Sequence, residues 1–184
     1  MAEDDSRLLS EARRGDEGSF LSLYHRYRTP LYRFAWRLTA STATAEDVVQ
    51  ECWVAALQSE RYDASRGSVR AYLFGVARNL AFARLRLSGR EAEETDGETP
   101  SGPFDDLLAV ERSEAVARAI AALPPLQREA VILFEYEDLS LEEIAQAAGI
   151  EIGAVKARLH RARETLRRRL APLLAPCEIP GRCS

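Results

Sequence analysis

Residues 139–170 read LSLEEIAQAAGIEIGAVKARLHRARETLRRRL, and the way this stretch divides decides the fold. Ser140 stands three residues before Glu143, the spacing of a capping box, which predicts a helix from Leu141. Leu141, Ile144, Ala145 and Ala148 give that helix one apolar face, and Gly149 follows where a helix end turns left-handed. A second helix is expected from about Ile152, with Val155, Leu159, Ala162 and Leu166 as its buried stripe. Two short helices around a glycine turn make a helix-turn-helix, whose second helix usually enters the major groove. With Val155 and Leu159 inward, the opposite face presents Ala154, Ala157, His160, Arg161 and Glu164, flanked by Lys156 and Arg158. From Lys156 to Arg169 there are seven Lys or Arg and one acid, Glu164. An ordinary helical hairpin with a solvated basic face is the bland alternative. Cap, glycine turn and local charge together favour DNA.

The rest of the 184-residue chain is long enough for one ordinary domain or two small ones. Its formal net charge of −4 looks wrong for a DNA binder until it is mapped. Arg66 to Arg90 carries six Arg and no acid, whereas Glu91 to Asp106 carries seven acids and no base. Two basic patches separated by an acidic segment predict partners better than the total does. No apolar run is long enough to span a membrane, and MAEDDSRLLSEARRGDE lacks the apolar core of a signal peptide. Cys52, Cys177 and Cys183 are too few for a disulfide framework, so a cytoplasmic protein is expected.

Nearly every apolar pattern has the helical period, which predicts an all-α protein. Phe20, Leu23, Tyr24, Tyr27, Leu31, Phe34, Ala35 and Leu38 form a long stripe that Pro30 should bend or divide. Thr44 precedes Asp47 at capping-box spacing, which predicts a helix over Ala45–Leu57. Val48, Cys52, Ala55 and Ala56 face inward there, leaving Asp47, Gln50, Glu51 and Val54 to the other side. YDASRGS, residues 62–68, reads as a loop. A helix follows from near Val69 to about Leu87, with Val69, Leu73, Val76, Ala77, Leu80 and Leu87 as its apolar positions. Tyr72, Phe74 and Phe82 lie among its arginines. Aromatic rings beside cations suit single-stranded nucleic acid, although helical aromatics are more often core. EAEETDGETPSGP, residues 91–103, reads as a flexible linker and marks a domain boundary. Two further helices, one over Leu107–Ile120 and one from Leu126 to Phe134, lead to the helix-turn-helix. After Leu170, the segment APLLAPCEIPGRCS reads as an irregular tail.

AEDVVQECWVAAL, RAYLFGVARNLAFARLR and the run from Leu123 to Leu170, in that order with an acidic linker between, resemble a bacterial RNA polymerase sigma factor. The resemblance, over about residues 10–170, is to the extracytoplasmic-function group (group IV) of the sigma-70 family, which keeps only sigma domains 2 and 4. It implies sigma domain 2 in residues 1–90, an acidic linker in 91–106, sigma domain 4 in 107–170 and a cysteine-containing tail in 171–184. Such a protein binds core RNA polymerase, directs it to a promoter and helps open the DNA. Asp47, Gln50 and Glu51 match the motif that docks on the coiled coil of the polymerase clamp, with Trp53 as a nearby aromatic anchor. The 62–68 loop and the helix after it match the part that captures the melted non-template strand of the minus-10 element. Asn79 and Tyr72 would meet bases there, and Arg66, Arg70, Arg78, Arg84 and Arg86 would hold phosphates. Lys156, Ala157, Arg158, His160 and Arg161 would face the duplex minus-35 element, with Arg128 and Ser140 reaching its backbone. Three departures from the family stand out: Tyr72 for a common Trp, Glu151 for a capping Ser and Ala154 for a common Thr. No cofactor or metal is implied, and an anti-sigma factor is the expected regulator.

Two rival readings remain. A helix-turn-helix regulator acting on duplex DNA would leave the Asp47–Glu51 motif unexplained. An enzyme lacks support: His25 and His160 lie far apart, and no nucleophile has an obvious base. Cys177 and Cys183 offer a weak redox or metal sensor, since two cysteines alone make no zinc site.

Overall fold

In the computed structural model of the chain, the described backbone covers residues 2–59, 62–88 and 107–174; the side chains of residues 2–3, 66, 88, 107–113 and 172–174 are not described. The acidic linker and the tail cysteines Cys177 and Cys183 therefore lie outside the described residues, as does the side chain of Arg66. The described elements are helical, with no strand among them: α1 Ala2–Arg13, α2 Glu17–Thr39, α3 Thr42–Gln58, α4 Val69–Ser88, α5 Leu107–Ala121, α6 Pro125–Val131, α7 Leu141–Ala148 and α8 Ile152–Leu174. A 3-10 turn, Ala64–Arg66, precedes α4, and one π turn, Ile132–Tyr136, extends α6.

The predicted punctuation of the helix-turn-helix is realised. Ser140 accepts from the Glu143 amide at 3.1 Å while the Glu143 carboxylate accepts from the Ser140 amide at 3.1 Å, which closes the capping box on α7. Gly149 ends α7 at φ 65°, a left-handed position that glycine adopts at little cost. Val155, Leu159 and Ala162 are buried along α8.

Elsewhere the helices depart from expectation. Pro30 lies inside one continuous helix, α2, and does not divide it. The buried side chains Leu23, Tyr27, Leu31, Phe34 and Leu38 hold both sides of the proline in a single packed stripe. Helix α3 begins three residues earlier than the Thr44–Asp47 pair suggests, because Ser41 is the N-cap and accepts from Thr44. Helix α8 continues to Leu174 rather than ending at Leu170; Pro172 in a last turn removes one donor, and the helix there tolerates it. Leu87 is 58% exposed, since the last turn of α4 runs past its packing partners. Helix α1 buries Leu9 and Ala12 in the core, and Asp5 adds a polar tie by accepting from Arg26 and Tyr27 of α2. Phe74 is fully buried edge-on against Phe34, at 5.5 Å between ring centres, so it belongs to the core and to no nucleic-acid surface.

One hydrophobic cluster runs through both halves of the chain, from Leu9 and Leu23 to Leu159 and Ala162. Helix α4 packs against α2 and α3 on one side and against α7 on the other. Gly75 makes the second contact close: a Cβ there would stand 3.0 Å from the Ala147 carbonyl oxygen and 3.3 Å from its Cα.

Candidate nucleic-acid and polymerase interfaces

Helix α3 turns one polar face outward. Asp47, Gln50 and Glu51 are spaced three and four residues apart, so they share that face, and all three are exposed. Val54, 52% exposed, continues it with an apolar patch. Glu51 accepts from Arg84 of α4, which anchors one end of the acidic row. Trp53 does not join this face. It is 4% exposed, edge-on to Phe20 at 5.7 Å and tilted against Tyr24 at 5.6 Å, with its indole N–H buried and unpaired. At its position on α3 the ring turns toward α2, so it braces the fold and is not placed as a partner's anchor.

Helix α4 sets out its side chains in two ways. Tyr72 and Asn79 line an open cleft of about 1140 Å³ between α3, α4, α7 and the start of α8. Tyr72 leans on Tyr62 at 5.4 Å, and Tyr62 meets Ser6 at 2.5 Å, so the loop before α4 is pinned to α1. Asp63, Glu142 and Glu151 give the cleft an acidic rim. Arg86 is exposed, whereas Arg70 and Arg78 are engaged by the other half of the chain. Arg70 donates to the backbone carbonyls of Glu137 and, at 3.3 Å, Asp138. Arg78 donates to Glu129, reaches Asn79 Oδ1 at 3.1 Å and lies 4.8 Å from the ring centre of Phe82.

On the helix-turn-helix, Lys156, Ala157, His160 and Arg161 are exposed on one face of α8. Arg158 is largely covered and sits 3.5 Å from Glu129. Ser140 is exposed but its hydroxyl accepts the α7 cap bond. Arg128 is not turned to DNA: it donates to the carbonyls of Leu38 at 3.0 Å and Leu123 at 3.1 Å, and its Nε is buried. Burial pushes its guanidinium below the ordinary value, as expected where water is withdrawn from a cation.

Two acids decide the electrostatics and neither is evident from the sequence. Glu129 on α6 is 1% exposed and faces both Arg78 and Arg158. Burial raises its carboxyl above the usual range, while the Arg78 hydrogen bond and the charges of Arg78 and Arg158 pull the other way. Glu137 follows the π turn, whose extra residue carries it back toward α2. Arg37 donates to it at 3.3 Å and lies 4.3 Å from the ring centre of Tyr136. Burial pushes the Glu137 carboxyl up to about 7, against the opposing charges of Arg37, Arg33 and Arg70. Neither acid stands out in the sequence; only the fold reveals what each faces. Cys52 is buried, and desolvation raises its thiol to about 12, which makes it inert.

Comparison with known proteins finds two matched regions along the chain. Residues 23–91 match sigma-70 region 2 and residues 113–166 match sigma-70 region 4. The chain is 33% identical to the ECF RNA polymerase sigma factor SigM of Mycobacterium tuberculosis, over 92% of this chain and 86% of that protein. It is 28% identical to the ECF RNA polymerase sigma factor SigW of Bacillus subtilis, over 91% and 97%. Among solved structures, CnrH in complex with the cytosolic domain of CnrY is similar, with a TM-score of 0.70 at 26% identity over 92% of this chain and 98% of that one. RpoE of Bartonella quintana in complex with the anti-sigma factor NepR has a TM-score of 0.66 at 28% identity, over 83% and 96%.

Proposed function

Because the chain belongs to the extracytoplasmic-function sigma factors of the sigma-70 family, we propose that it is an alternative sigma factor that brings core RNA polymerase to a specific set of promoters. The observation that carries this reading is the pair of matched sigma regions in order along one chain, with an exposed acidic face on the first and a basic recognition helix on the second. We place it in group IV, since only residues 92–112 separate the two matched regions. A duplex-binding regulator without a polymerase role would leave the whole region 2 match idle.

In this reading Asp47, Gln50 and Glu51 dock on the basic surface of the clamp coiled coil, with Val54 as the apolar patch beside them. Lys156, His160 and Arg161 hold the minus-35 duplex, and Ala157 leaves room for close approach to base edges. Tyr72 and Asn79 meet unstacked bases of the minus-10 non-template strand, while Arg66, Arg70, Arg78, Arg84 and Arg86 hold its phosphates. Melting without a nucleotide fuel requires that captured bases offset lost stacking, a few kcal/mol per base. The polymerase makes the phosphodiester bonds; this chain selects and opens the site. An anti-sigma factor is the expected partner in storage, by analogy with the complexes of CnrH and of RpoE. A chain that works on polymerase and promoter DNA works in the cytoplasm.

Run-off transcription with core polymerase tests this, with and without the protein, on the promoter upstream of its own gene. Initiation should depend on the protein and fail for Asp47→Ala/Glu51→Ala. A protein that binds duplex DNA but neither comigrates with core polymerase nor supports initiation would be a regulator of another kind.

A further inference from the structure

Helix α1 ends before residue 23, where the match to sigma-70 region 2 begins, yet it holds the loop that introduces α4. The Tyr62 hydroxyl lies 2.5 Å from Ser6 Oγ on α1 and donates to the Gly67 carbonyl at 3.3 Å, which closes the loop on itself. Arg13, in the last turn of α1, stands 6.0 Å from the centre of the Tyr62 ring. The same guanidinium donates to the Ala56 carbonyl of α3 at 2.9 Å. The Tyr62 ring in turn leans on Tyr72 of α4, with 5.4 Å between ring centres and a tilt of 51°.

Both ends of this chain of contacts are fixed. Leu9 is fully buried and Asp5, 5% exposed, accepts from Arg26 and Tyr27, so the turn that carries Ser6 is fastened to α2. Within the loop, Asp63 accepts from the amide and the hydroxyl of Ser65 at 2.9 and 2.7 Å. Gly67, at φ 148°, supplies a backbone conformation that other residues rarely adopt. An aromatic side chain on a helix surface can change rotamer, and ordering it when a ligand arrives costs roughly two- to tenfold in affinity. Tyr72 is spared that cost, because Tyr62 already occupies the space beside it. The ring of residue 62 would pack without its hydroxyl; the hydroxyl decides where the ring stands.

We propose that Ser6 and Tyr62 are positioning residues for base capture: α1 fixes Tyr62, and Tyr62 fixes Tyr72, so that an unstacked minus-10 base meets a ring already in place. An element outside the matched region thus sets the geometry of a side chain within it. The inference rests on the assignment of Tyr72 to the minus-10 strand.

Abasic substitution tests it. Holoenzyme reconstituted from core polymerase and the full chain is titrated with a fluorescein-labelled non-template oligonucleotide covering the minus-10 region upstream of its own gene. A series with one nucleotide at a time made abasic follows. At the position stacked on Tyr72, loss of the base should weaken binding by the parent about tenfold. Ser6→Ala and Tyr62→Phe should each bind the intact strand about fivefold more weakly. The abasic strand should bind parent and variants alike, so the penalty at that position falls to about twofold. Ser6→Thr, which keeps a hydroxyl, should restore the parent's penalty. Circular dichroism melts keep the titrations at temperatures where every form is folded. The proposal is overturned if either variant keeps the parent's penalty, or weakens the intact and abasic strands equally, as a scaffold role alone would. A parent indifferent to every abasic site would take Tyr72 off the strand, and the proposal with it. Run-off transcription by the parent separates the two ideas: no initiation removes the sigma role and the positioning role together, whereas initiation with unchanged penalties in the variants removes only the second.

Discussion

Glu129 and Arg78 meet across the junction of the two halves, with the carboxylate 1% exposed and the arginine side chain 16% exposed. Arg158 approaches the same carboxylate from α8 at 3.5 Å. An ionised group so far from water is tolerated only when opposite charges and hydrogen bonds surround it. The arrangement therefore makes stability at this point depend on all three partners. Glu129→Ala would leave two cations facing each other without a counter-charge. We expect a loss of about 2–3 kcal/mol in urea denaturation, and about 1 kcal/mol for Glu129→Gln, which keeps an acceptor for Arg78. A change below the error of the titration for Glu129→Ala would show that both arginines turn to solvent without cost.

Glu137 gives the protein a pH dependence of definite sign. Its carboxyl is raised to about 7 by burial, whereas in the unfolded chain it titrates near the ordinary 4.5. Between those values the folded protein holds a proton that the unfolded chain has released, so stability must fall as pH rises through that window. The facing groups are Arg37, Arg33 and Arg70, which favour the ionised form, and Asp138, which opposes it. Melting temperature should drop between about pH 5 and pH 8, by the equivalent of roughly 2 kcal/mol. Glu137→Gln should remove most of that slope and raise stability at the alkaline end. Glu129, raised in the same direction, leaves a residual slope. A flat profile for the parent protein would sink the argument.

The capping box on α7 offers a local test. Helix α7 is eight residues long, too short to persist without its ends satisfied. Ser140→Ala removes the acceptor for the Glu143 amide and should cost about 1 kcal/mol, with Ser140→Asp nearly neutral. Hydrogen exchange at the Glu143 amide should accelerate in the alanine variant more than exchange in α3. Equal acceleration in both helices would point to global loosening instead of a lost cap.

What the sequence disclosed and what it hid follow from the range of the interactions. Ser140, Glu143 and Gly149 act on backbone within a few residues, so their spacing alone foretells α7, its ends and the turn. The stripe Val155, Leu159 and Ala162 is likewise a property of one helix. The fates of Trp53, Phe74 and Arg128 depend on what lies across from them, and no local pattern encodes that. Trp53 and Glu51 are two residues apart on α3, which places them on different faces; the helical period was sufficient to warn that the ring does not share the acidic row. Arg128 carries no such warning, because its acceptor, the Leu38 carbonyl, is ninety residues away. The acids Glu129 and Glu137 were invisible for the same reason.

Trp53 provides a test of that distinction. Its indole N–H is buried and makes no hydrogen bond, so the ring contributes by packing against Phe20 and Tyr24 alone. Trp53→Ala should cost about 3–5 kcal/mol through the cavity it leaves. Trp53→Phe should cost about 1–2 kcal/mol, since it sacrifices volume but no hydrogen bond. Affinity of the folded Trp53→Phe protein for core polymerase should be unchanged. A large loss of polymerase binding with intact stability would return the ring to the partner's surface.

Salt dependence separates the cations that touch DNA from those that hold the protein. Lys156 and Arg161 are exposed on α8, and if each neutralises a phosphate of the minus-35 duplex, binding releases about one counterion per contact. Lys156→Ala and Arg161→Ala should each weaken binding and reduce the slope of log affinity against log salt by about 1. Arg128 was an equally good candidate by sequence, but its guanidinium serves the Leu38 and Leu123 carbonyls. Arg128→Ala should therefore lower the melting temperature and leave the slope where it was. His160, 74% exposed and 4.0 Å from Glu164, falls between these cases. For His160 the variant His160→Ala is read on sequence preference rather than on salt slope. If its ring reads a base edge, the same substitution should lower affinity for the parent promoter more than for a scrambled duplex. Titrations on both duplexes at three salt concentrations distinguish all four side chains, and a slope that changes with Arg128 would place that arginine on the DNA after all.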